Sequence, residues 1–441
     1  MTQQDTAGSR TRENDAAFSR VLANTAWLLG GKGIGGILSL FYLAIVTRSL
    51  GVADFGRFAL VLSTAQAISV LVTFESWQII VRFGQRHLIS GDAHALNRLI
   101  RFCVLIDIGS AAVGCLIAAA VTLLLGPFFG WSPELRSQAL LFCAAMLIGI
   151  RSTPTGLLRL FDRFDTGSVA ETMVPVGRMI GAAVVLATGP SITAFLIVWA
   201  AAEIFCAAAY WVLALRAGRG RIGSWGAGRF LAARTENPGL LRFLTATNLS
   251  TTLNAVGKQV AVLVIGLFVG PAGAGLYRLA NQLSQSLTKI SGLLSRTIFA
   301  ELARASASES AGQMQALFGR MNRLALITGA SIVALILIVG KPILVLVAGE
   351  AFAGAYPLLV LLGIAASIDL VGVSFSPLLM ATDRAGTSLR ITFVTTLMLL
   401  GLLTLLLPRF GTVGAAYSSL ATSVVGFLLM GWASRRALRR A

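Results

Sequence analysis

Apolar stretches of about 20 residues follow one another along almost the whole chain of 441 residues. A helix of that length crosses the hydrocarbon core of a bilayer. Only 12% of the residues are charged, whereas soluble domains carry roughly 25%. Because so little charge cannot cover a water-facing surface, we predict an all-α integral membrane protein of about twelve transmembrane helices. No soluble domain is long enough to hold an active site, so we do not expect an enzyme.

Hydropathy divides the chain into two bundles of six spans. The bundles are predicted at 21–215 and 241–432, joined by a basic linker at 216–240 and flanked by tails at 1–20 and 433–441. The predicted spans, numbered 1 to 12 from here on, are 21–46, 57–81, 99–125, 138–160, 170–188, 192–215, 243–269, 276–300, 323–347, 356–380, 388–407 and 411–432.

The distribution of basic residues predicts the orientation, since Lys and Arg concentrate on cytoplasmic loops. With the N-terminus in the cytoplasm, the opposite loops and their helix ends hold only six of the 36 Lys and Arg residues: Arg48, Arg57, Arg136, Arg278, Lys341 and Arg409. Both termini are therefore expected to be cytoplasmic. This topology also accounts for the net charge of +18, and no nucleic-acid partner is expected.

The two bundles repeat in sequence. Gly51 to Phe58 aligns with Gly270 to Tyr277, Asn97-Arg98 with Asn322-Arg323, and Asp162-Arg163 with Asp383-Arg384. Each pair falls at the same place in its half, at nearly the same offset. Because each half has an even number of spans, the repeat is predicted to be parallel, with its axis along the membrane normal.

Polar residues form stripes on three spans at helical spacing. The stripes are Gln66, Ser69, Thr73 and Ser76 on span 2; Thr247, Thr251, Asn254 and Lys258 on span 7; and Arg278, Gln282, Gln285 and Lys289 on span 8. Lipid does not tolerate such a line, so each stripe should face protein or water. For span 2, hydrogen bonding between helices explains the stripe equally well.

Basic residues inside the predicted spans are the strongest indication of a ligand site. Lys32 lies near the middle of span 1, Lys258 and Lys289 lie at depth in spans 7 and 8, and Arg151 and Arg178 lie within spans 4 and 5. A central Lys costs about 2.5–3.5 kcal/mol on insertion scales and usually faces a cavity or a partner. Since Lys and Arg bind phosphate well, we predict a cationic cavity for an anionic ligand.

Four acidic residues also lie within apolar segments: Glu75, Asp107, Glu203 and Asp369. They either pair with the interior cations or couple transport to H⁺ or Na⁺, and spacing does not distinguish these roles. The isolated cysteines and the two histidines, His87 and His94, which are expected to be solvated, suggest no metal site. No cofactor and no catalytic residue are expected.

The start of the chain resembles a known family. Asn24-Thr-Ala-Trp27 and the stretch from Val46 to Ala59, with the pattern Arg48-x-Leu-Gly51-x-x-x-x-Gly56, look like the opening of bacterial polysaccharide transporters. These are the O-antigen (Wzx-type) flippases of the multidrug/oligosaccharidyl-lipid/polysaccharide (MOP) superfamily. The second half keeps only Gly270 and Gly275 of the pattern.

The resemblance implies two bundles around a central cavity in the bacterial inner membrane. It also implies a substrate, an oligosaccharide on undecaprenyl pyrophosphate, which the cavity cations would hold, with Arg48 as a contact at the periplasmic end. A polymerase or glycosyltransferases of the same pathway are candidate partners. The alternatives are a drug/cation antiporter of the same superfamily, a peptidoglycan-precursor flippase and a non-transporting partner of glycan assembly.

Overall fold

The structure, a computed structural model, describes the backbone of residues 3–220, 222, 232–286, 311–381 and 384–438. Side chains are described within those ranges from residue 35 onward, except at 246–247, 249–251, 253–258, 311–322, 377, 380–381, 385 and 438. Every regular element in these ranges is a helix. Eight described stretches are long and apolar enough to cross a membrane. The all-α, membrane-spanning fold predicted from hydropathy is therefore confirmed.

Spans 1 to 6 follow from the N-terminal helices. The helix Gln3–Val72 holds span 1 and most of span 2, and Ser76–Ile89 completes span 2. The remaining spans of this half are span 3 (Ala93–Leu124), span 4 (Pro133–Ile148 and Ser152–Leu160), span 5 (Phe164–Thr188) and span 6 (Ile192–Ala217).

The C-terminal half follows a short helix, Ala232–Glu236. Span 7 is Leu240–Val269, span 8 is helical over 271–286, and span 9 lies in Ala311–Ala348. A 3₁₀ turn, Glu350–Ala355, leads into span 10, which consists of Tyr356–Val371, the 3₁₀ turn Gly372–Ser374 and Phe375–Ala381. Spans 11 and 12 share the helix Ala385–Leu438, which is kinked at Gly411.

The internal repeat is visible in the backbone of the turns. In the N-terminal half, positive-φ glycines lie between spans 1 and 2, 3 and 4, and 5 and 6, at Gly51, Gly130 and Gly189. Their counterparts in the C-terminal half are Gly270, Gly349 and Gly411. Side chains disfavour this region of φ, and glycine enters it freely. We call the end of the molecule with these six turns the turn face, and the end with the opposite loops the basic face.

Two N-terminal spans are interrupted inside the bundle. Span 2 is non-helical at 73–75, and span 4 is non-helical from 149 to 151. The two breaks pack together, because a Cβ on Gly156 would lie 2.8 Å from the Cα of Trp77. The backbone N–H of Trp77 also donates a hydrogen bond to the Ser152 hydroxyl at 3.1 Å. Hydropathy does not predict these breaks, since apolar residues continue on both sides of each.

The breaks divide the N-terminal half into two layers. Toward the turn face, one apolar core includes Phe58, Phe195 and Trp199 and continues into the C-terminal half. Toward the basic face, a separate apolar core includes Ile79, Leu99 and Leu157 and extends to Leu240 and Leu244 of span 7. Polar and charged side chains of spans 3 to 6 occupy the level between these cores.

The start of span 7 is tied to the N-terminal half. Glu236 forms an ion pair with Arg98 at 2.7 Å, and Arg82 lies 4.4 Å from the centre of the Phe243 ring. His87, expected to be solvated, is instead buried, with its Nε2 2.9 Å from the Asn237 Oδ1. That expectation was wrong because the two partners are 150 residues apart and no local pattern joins them.

Candidate functional site

Arg278 connects the two halves inside the bundle. It lies on span 8, eight residues beyond Gly270, which is about 12 Å along the helix. Its guanidinium donates to the Ser63 hydroxyl at 3.0 Å and to the Gln66 amide oxygen at 2.9 Å, both on span 2. It also donates to the Gln259 amide oxygen on span 7 at 3.2 Å. The predicted stripes of spans 2 and 8 therefore meet, at Gln66 and Arg278.

All three acceptors of Arg278 are neutral. Among the residues whose side chains are described, no carboxylate lies within ion-pair distance of its guanidinium. A cation in a membrane interior is costly unless it faces a partner or a water-filled cavity. Its positive charge is therefore available to an anionic ligand.

A second cluster of charged side chains lies in the N-terminal half. Glu203, on span 6, pairs with Arg151 at 2.6 Å and with Arg178 at 2.8 Å. Arg151 occupies the break in span 4, where its side chain is free to turn into the bundle, and Arg178 is on span 5. Both guanidiniums share this one carboxylate, and the charge of Glu171 on span 5 also acts on Cys206 and Tyr210 beside them.

Arg178 connects this cluster to the centre. Its guanidinium lies 5.2 Å from the Trp199 ring and 6.0 Å from the Tyr42 ring, and its buried Nε has no hydrogen-bond partner in the described part of the chain. The positive charges of Arg178 and Arg278 are also close enough to repel each other. Described side chains of spans 1, 2, 4, 5, 6, 7 and 8 thus contribute to this region, which holds the guanidiniums of Arg151, Arg178 and Arg278 and the Glu203 carboxylate. Sequence reasoning noted Arg178 only as a charge at depth and missed Tyr42, Ser63 and Gln259.

Asp107 is bound differently from Glu203. Its carboxylate accepts hydrogen bonds from the Ser76 hydroxyl at 2.6 Å, and from the Thr153 hydroxyl at 2.7 Å and N–H at 3.1 Å. Both donor residues begin the second segment of a broken span. A helix N-terminus carries partial positive charge, so Asp107 stabilises two such ends at once. It does not pair with a cation among the described side chains.

The acceptors of Arg278 do not include the other two acidic candidates. Glu75 accepts a hydrogen bond from the Trp77 indole N–H at the break in span 2. Asp369 is exposed on Tyr356–Val371. Of the four predicted acidic residues, Glu203 is the one for which the described residues show ion pairs with interior arginines.

The other described stripe residues do not contact Arg278 and have different surroundings. The hydroxyls of Ser69 and Thr73 are 3.5 Å apart, one turn from each other on span 2. Ser76, beyond the break, points to Asp107. On span 8, the Gln285 amide donates to Asn281 at 3.3 Å, and Gln282 is half-buried. The span 2 stripe is therefore split by the break between Thr73 and Ser76.

Arg48 lies at the turn face. Its guanidinium donates to the backbone carbonyls of Val345, Leu346 and Val347, at 3.5, 2.5 and 3.3 Å. These carbonyls end the helix Ala311–Ala348, where cations are favoured. Arg48 thus joins the halves as a helix cap, outside the Arg278 region.

Several predicted residues cannot be compared with this geometry. Lys32 lies in the helix Gln3–Val72, and Thr251, Asn254 and Lys258 lie in span 7, but their side chains are outside the described set. Lys289 is outside the described residues altogether. Their roles in the cationic cavity stay predictions.

Comparison with solved structures shows which known fold the chain shares. An inward-facing multidrug-resistance MATE transporter of the MOP superfamily superposes with a TM-score of 0.67 at 13% identity, covering 92% of this chain and 96% of that one. The lipid II flippase MurJ superposes with a TM-score of 0.69 at 12% identity, covering 92% and 87%. The chain has the fold of the MOP transporters, and these structural neighbours are transporters and flippases.

Sequence comparison is more specific. Residues 21–299 match the polysaccharide biosynthesis protein family, and the chain belongs to that family. A relative from Escherichia coli K12, the inner membrane protein YghQ, is 29% identical over 351 residues, which cover 78% of this chain and 97% of that protein.

Proposed function

We propose that the protein moves an undecaprenyl-pyrophosphate-linked oligosaccharide from the cytoplasmic to the periplasmic leaflet by alternating access, for assembly of a cell-surface polysaccharide. In this scheme the basic face is cytoplasmic, following the distribution of Lys and Arg. Family membership and the fold shared with a lipid II flippase support this substrate class.

Arg278 is the observation that carries the proposal. It lies where spans of both halves meet, and its guanidinium is bound only by neutral oxygens in the described structure. An incoming pyrophosphate offers stronger, charge-assisted hydrogen bonds than these acceptors do. Rocking of the halves would also separate Arg278 on span 8 from Ser63 and Gln66 on span 2. Anion binding and movement of the halves are thereby linked through one side chain.

The acidic residues argue against a drug/cation antiporter. Such a transporter needs a carboxylate that is free to bind a cationic drug, a proton or Na⁺. Glu203 is held by two guanidiniums, and Asp107 is held by donors at two helix starts. The charge of the described centre is positive, which favours an anion. Coupling of transport to H⁺ or Na⁺ is not required by this geometry.

The test is translocation in proteoliposomes, measured as exposure of the oligosaccharide to an added glycosidase. Arg278→Gln removes the charge but keeps polar contacts to Gln66. Because a hydrogen bond to a charged group contributes about 1.5–3 kcal/mol, translocation should fall roughly 10- to 100-fold. Arg278→Lys should retain part of the activity. The Lys32→Ala/Lys258→Ala double variant tests the two predicted lysines in the same assay.

Arg409→Gln is the matched control, since Arg409 is an exposed arginine near the turn face. It should translocate at the wild-type rate. Full activity of Arg278→Gln at unchanged thermal stability would contradict the assigned role of Arg278. A wild-type protein that moves no lipid but expels a cationic dye would be an antiporter. If the wild-type protein moves neither the lipid nor the dye, but its loss stops glycan assembly in cells, it would be a non-transporting partner.

A further inference from the structure

A polar pocket of about 520 Å³ opens at the turn face of the N-terminal half. It lies between the three turns of that half, at residues 49–57, 130–138 and 190–193. Ligand pockets typically measure roughly 300–1,000 Å³, so its volume suits a short run of sugar rings. It is separate from the Arg278 region, which lies deeper in the bundle.

Several polar groups of the pocket have no side-chain partner among the described residues. Asp54 and Arg57 pair with each other at 2.6 Å, and both side chains remain nearly half exposed. Among the described residues, no side-chain hydrogen bond or ion pair involves Glu134, Gln138 or Thr193. The pocket therefore offers a carboxylate, an amide and a hydroxyl that only solvent or a ligand can satisfy.

The internal repeat shows that this polarity is not a general property of the turns. The glycines align Gly51 with Gly270, Gly130 with Gly349, and Gly189 with Gly411. At the same offsets, the pocket residues and their counterparts in the C-terminal half are Asp54 and Gly273, Arg57 and Leu276, Glu134 and Ala353, Gln138 and Pro357, and Thr193 and Ala415. The backbone of the turns is preserved, and the polar side chains are specific to one half.

We propose that this pocket binds the oligosaccharide of the substrate at the face where it leaves the membrane, a proposal that rests on the proposed function. Carboxylate and amide oxygens accept hydrogen bonds from sugar hydroxyls, and the amide and guanidinium groups donate to sugar oxygens. Two carboxylates and one guanidinium give the pocket a net negative charge, so it does not suit the pyrophosphate. The cationic centre and this pocket thus bind different parts of one molecule.

The first test is binding of the protein, in nanodiscs, to an array of bacterial surface oligosaccharides. Wild type should bind at least one oligosaccharide, and the Glu134→Ala/Gln138→Ala variant should bind it at least ~10-fold more weakly, since it loses two polar contacts. Arg409→Gln is the control and should bind like wild type. Binding of no oligosaccharide by wild type, or equal binding by the pocket variant, overturns the proposal.

The second test uses proteoliposomes with lipid-linked oligosaccharide extracted from the host membranes, and with the same lipid trimmed to its first sugar. The pocket variant should move the full-length lipid several-fold more slowly and the trimmed lipid at the wild-type rate. Equal rates for both lipids in the variant and wild type overturn the pocket's role in transport. If wild type moves neither lipid, the proposed function fails, whereas the array result still decides whether the pocket binds glycan.

Discussion

The two halves meet at two levels of different chemistry. At the turn face, Gly56 and Gly275 place backbone against backbone: a Cβ on Gly275 would lie 3.0 Å from the Gly56 Cα, and a Cβ on Gly56 would lie 1.9 Å from the Pro271 carbonyl oxygen. About one turn deeper, the halves meet through the Arg278 guanidinium and its neutral acceptors. The first contact leaves no room for side chain or water, and the second keeps an available charge.

The glycine contact is suited to closing the turn face, and the Arg278 contact is suited to binding a ligand. A backbone contact without side chains closes the turn face in one geometry and has no affinity for a ligand. A cation held by replaceable hydrogen bonds can exchange its acceptors for those of an anion. The aligned glycines Gly56 and Gly275 therefore form the seal, while residues that differ between the halves line the two proposed sites.

Replacing Gly56 with Ala should have the largest effect, because it breaks the seal. The new methyl group would overlap the Pro271 carbonyl, which belongs to the backbone and cannot rotate away. We expect translocation to be lost and the thermal unfolding temperature to fall. Cysteines placed at the turn face should also become accessible to a membrane-impermeant maleimide.

Gly36→Ala is the control for that change. A Cβ there has no neighbour within 4 Å, and Ala favours a helix over Gly by about 0.8–1.0 kcal/mol. Wild-type transport and labelling in Gly56→Ala would show that the halves do not close through this contact.

Glu203→Gln should have the next largest effect, acting on the charged level. Loss of one partner from a buried ion pair lowers the free energy of unfolding by about 3–5 kcal/mol. Because the Arg151 side chain is 27% exposed and water screens its charge, we expect a decrease of about 2 kcal/mol. Thermal unfolding should shift down by several degrees. Removing a positive charge as well, in Glu203→Gln/Arg151→Gln, should restore part of the loss. If both variants unfold like wild type, the pairing with Glu203 is not what balances these charges.

Arg48→Gln should have the smallest effect of the three and sharpens the comparison at the turn face. It removes a guanidinium from three carbonyls at the end of Ala311–Ala348. Because Arg48 is exposed, the free energy of unfolding should fall by about 1 kcal/mol or less. Thermal unfolding measures this change, with Arg409→Gln as the control. A loss as large as that of Gly56→Ala would mean that polar capping, and not backbone contact, holds the turn face together.

Sequence predicted the parts of this protein that depend on local pattern. The glycines at 51, 56, 270 and 275 were recognised because their spacing repeats, and the backbone shows why: Gly51 and Gly270 have φ of 69° and 88°. The stripes of spans 2 and 8 were found because helical spacing places Gln66 and Arg278 on polar faces, and the two residues do meet.

The parts that depend on distant pairing could not be predicted. Glu203 lies 52 residues from Arg151, and only the packing of spans 4 and 6 shows that they pair. The break in span 2 is similar, because its polar groups are satisfied by Asp107 and Ser152 of other spans. Hydropathy averages over such a break and does not detect it.

Asp107 also has a consequence for how the protein is made. Two of its three hydrogen bonds come from Thr153, which is synthesised 46 residues later. Until span 4 emerges, span 3 carries into the membrane a carboxylate with only the Ser76 hydroxyl as a donor. An Asp in the centre of a lone helix costs about 2.5–3.5 kcal/mol on insertion scales. Spans 2, 3 and 4 should therefore be retained together beside the insertion machinery and released to lipid as one assembled unit.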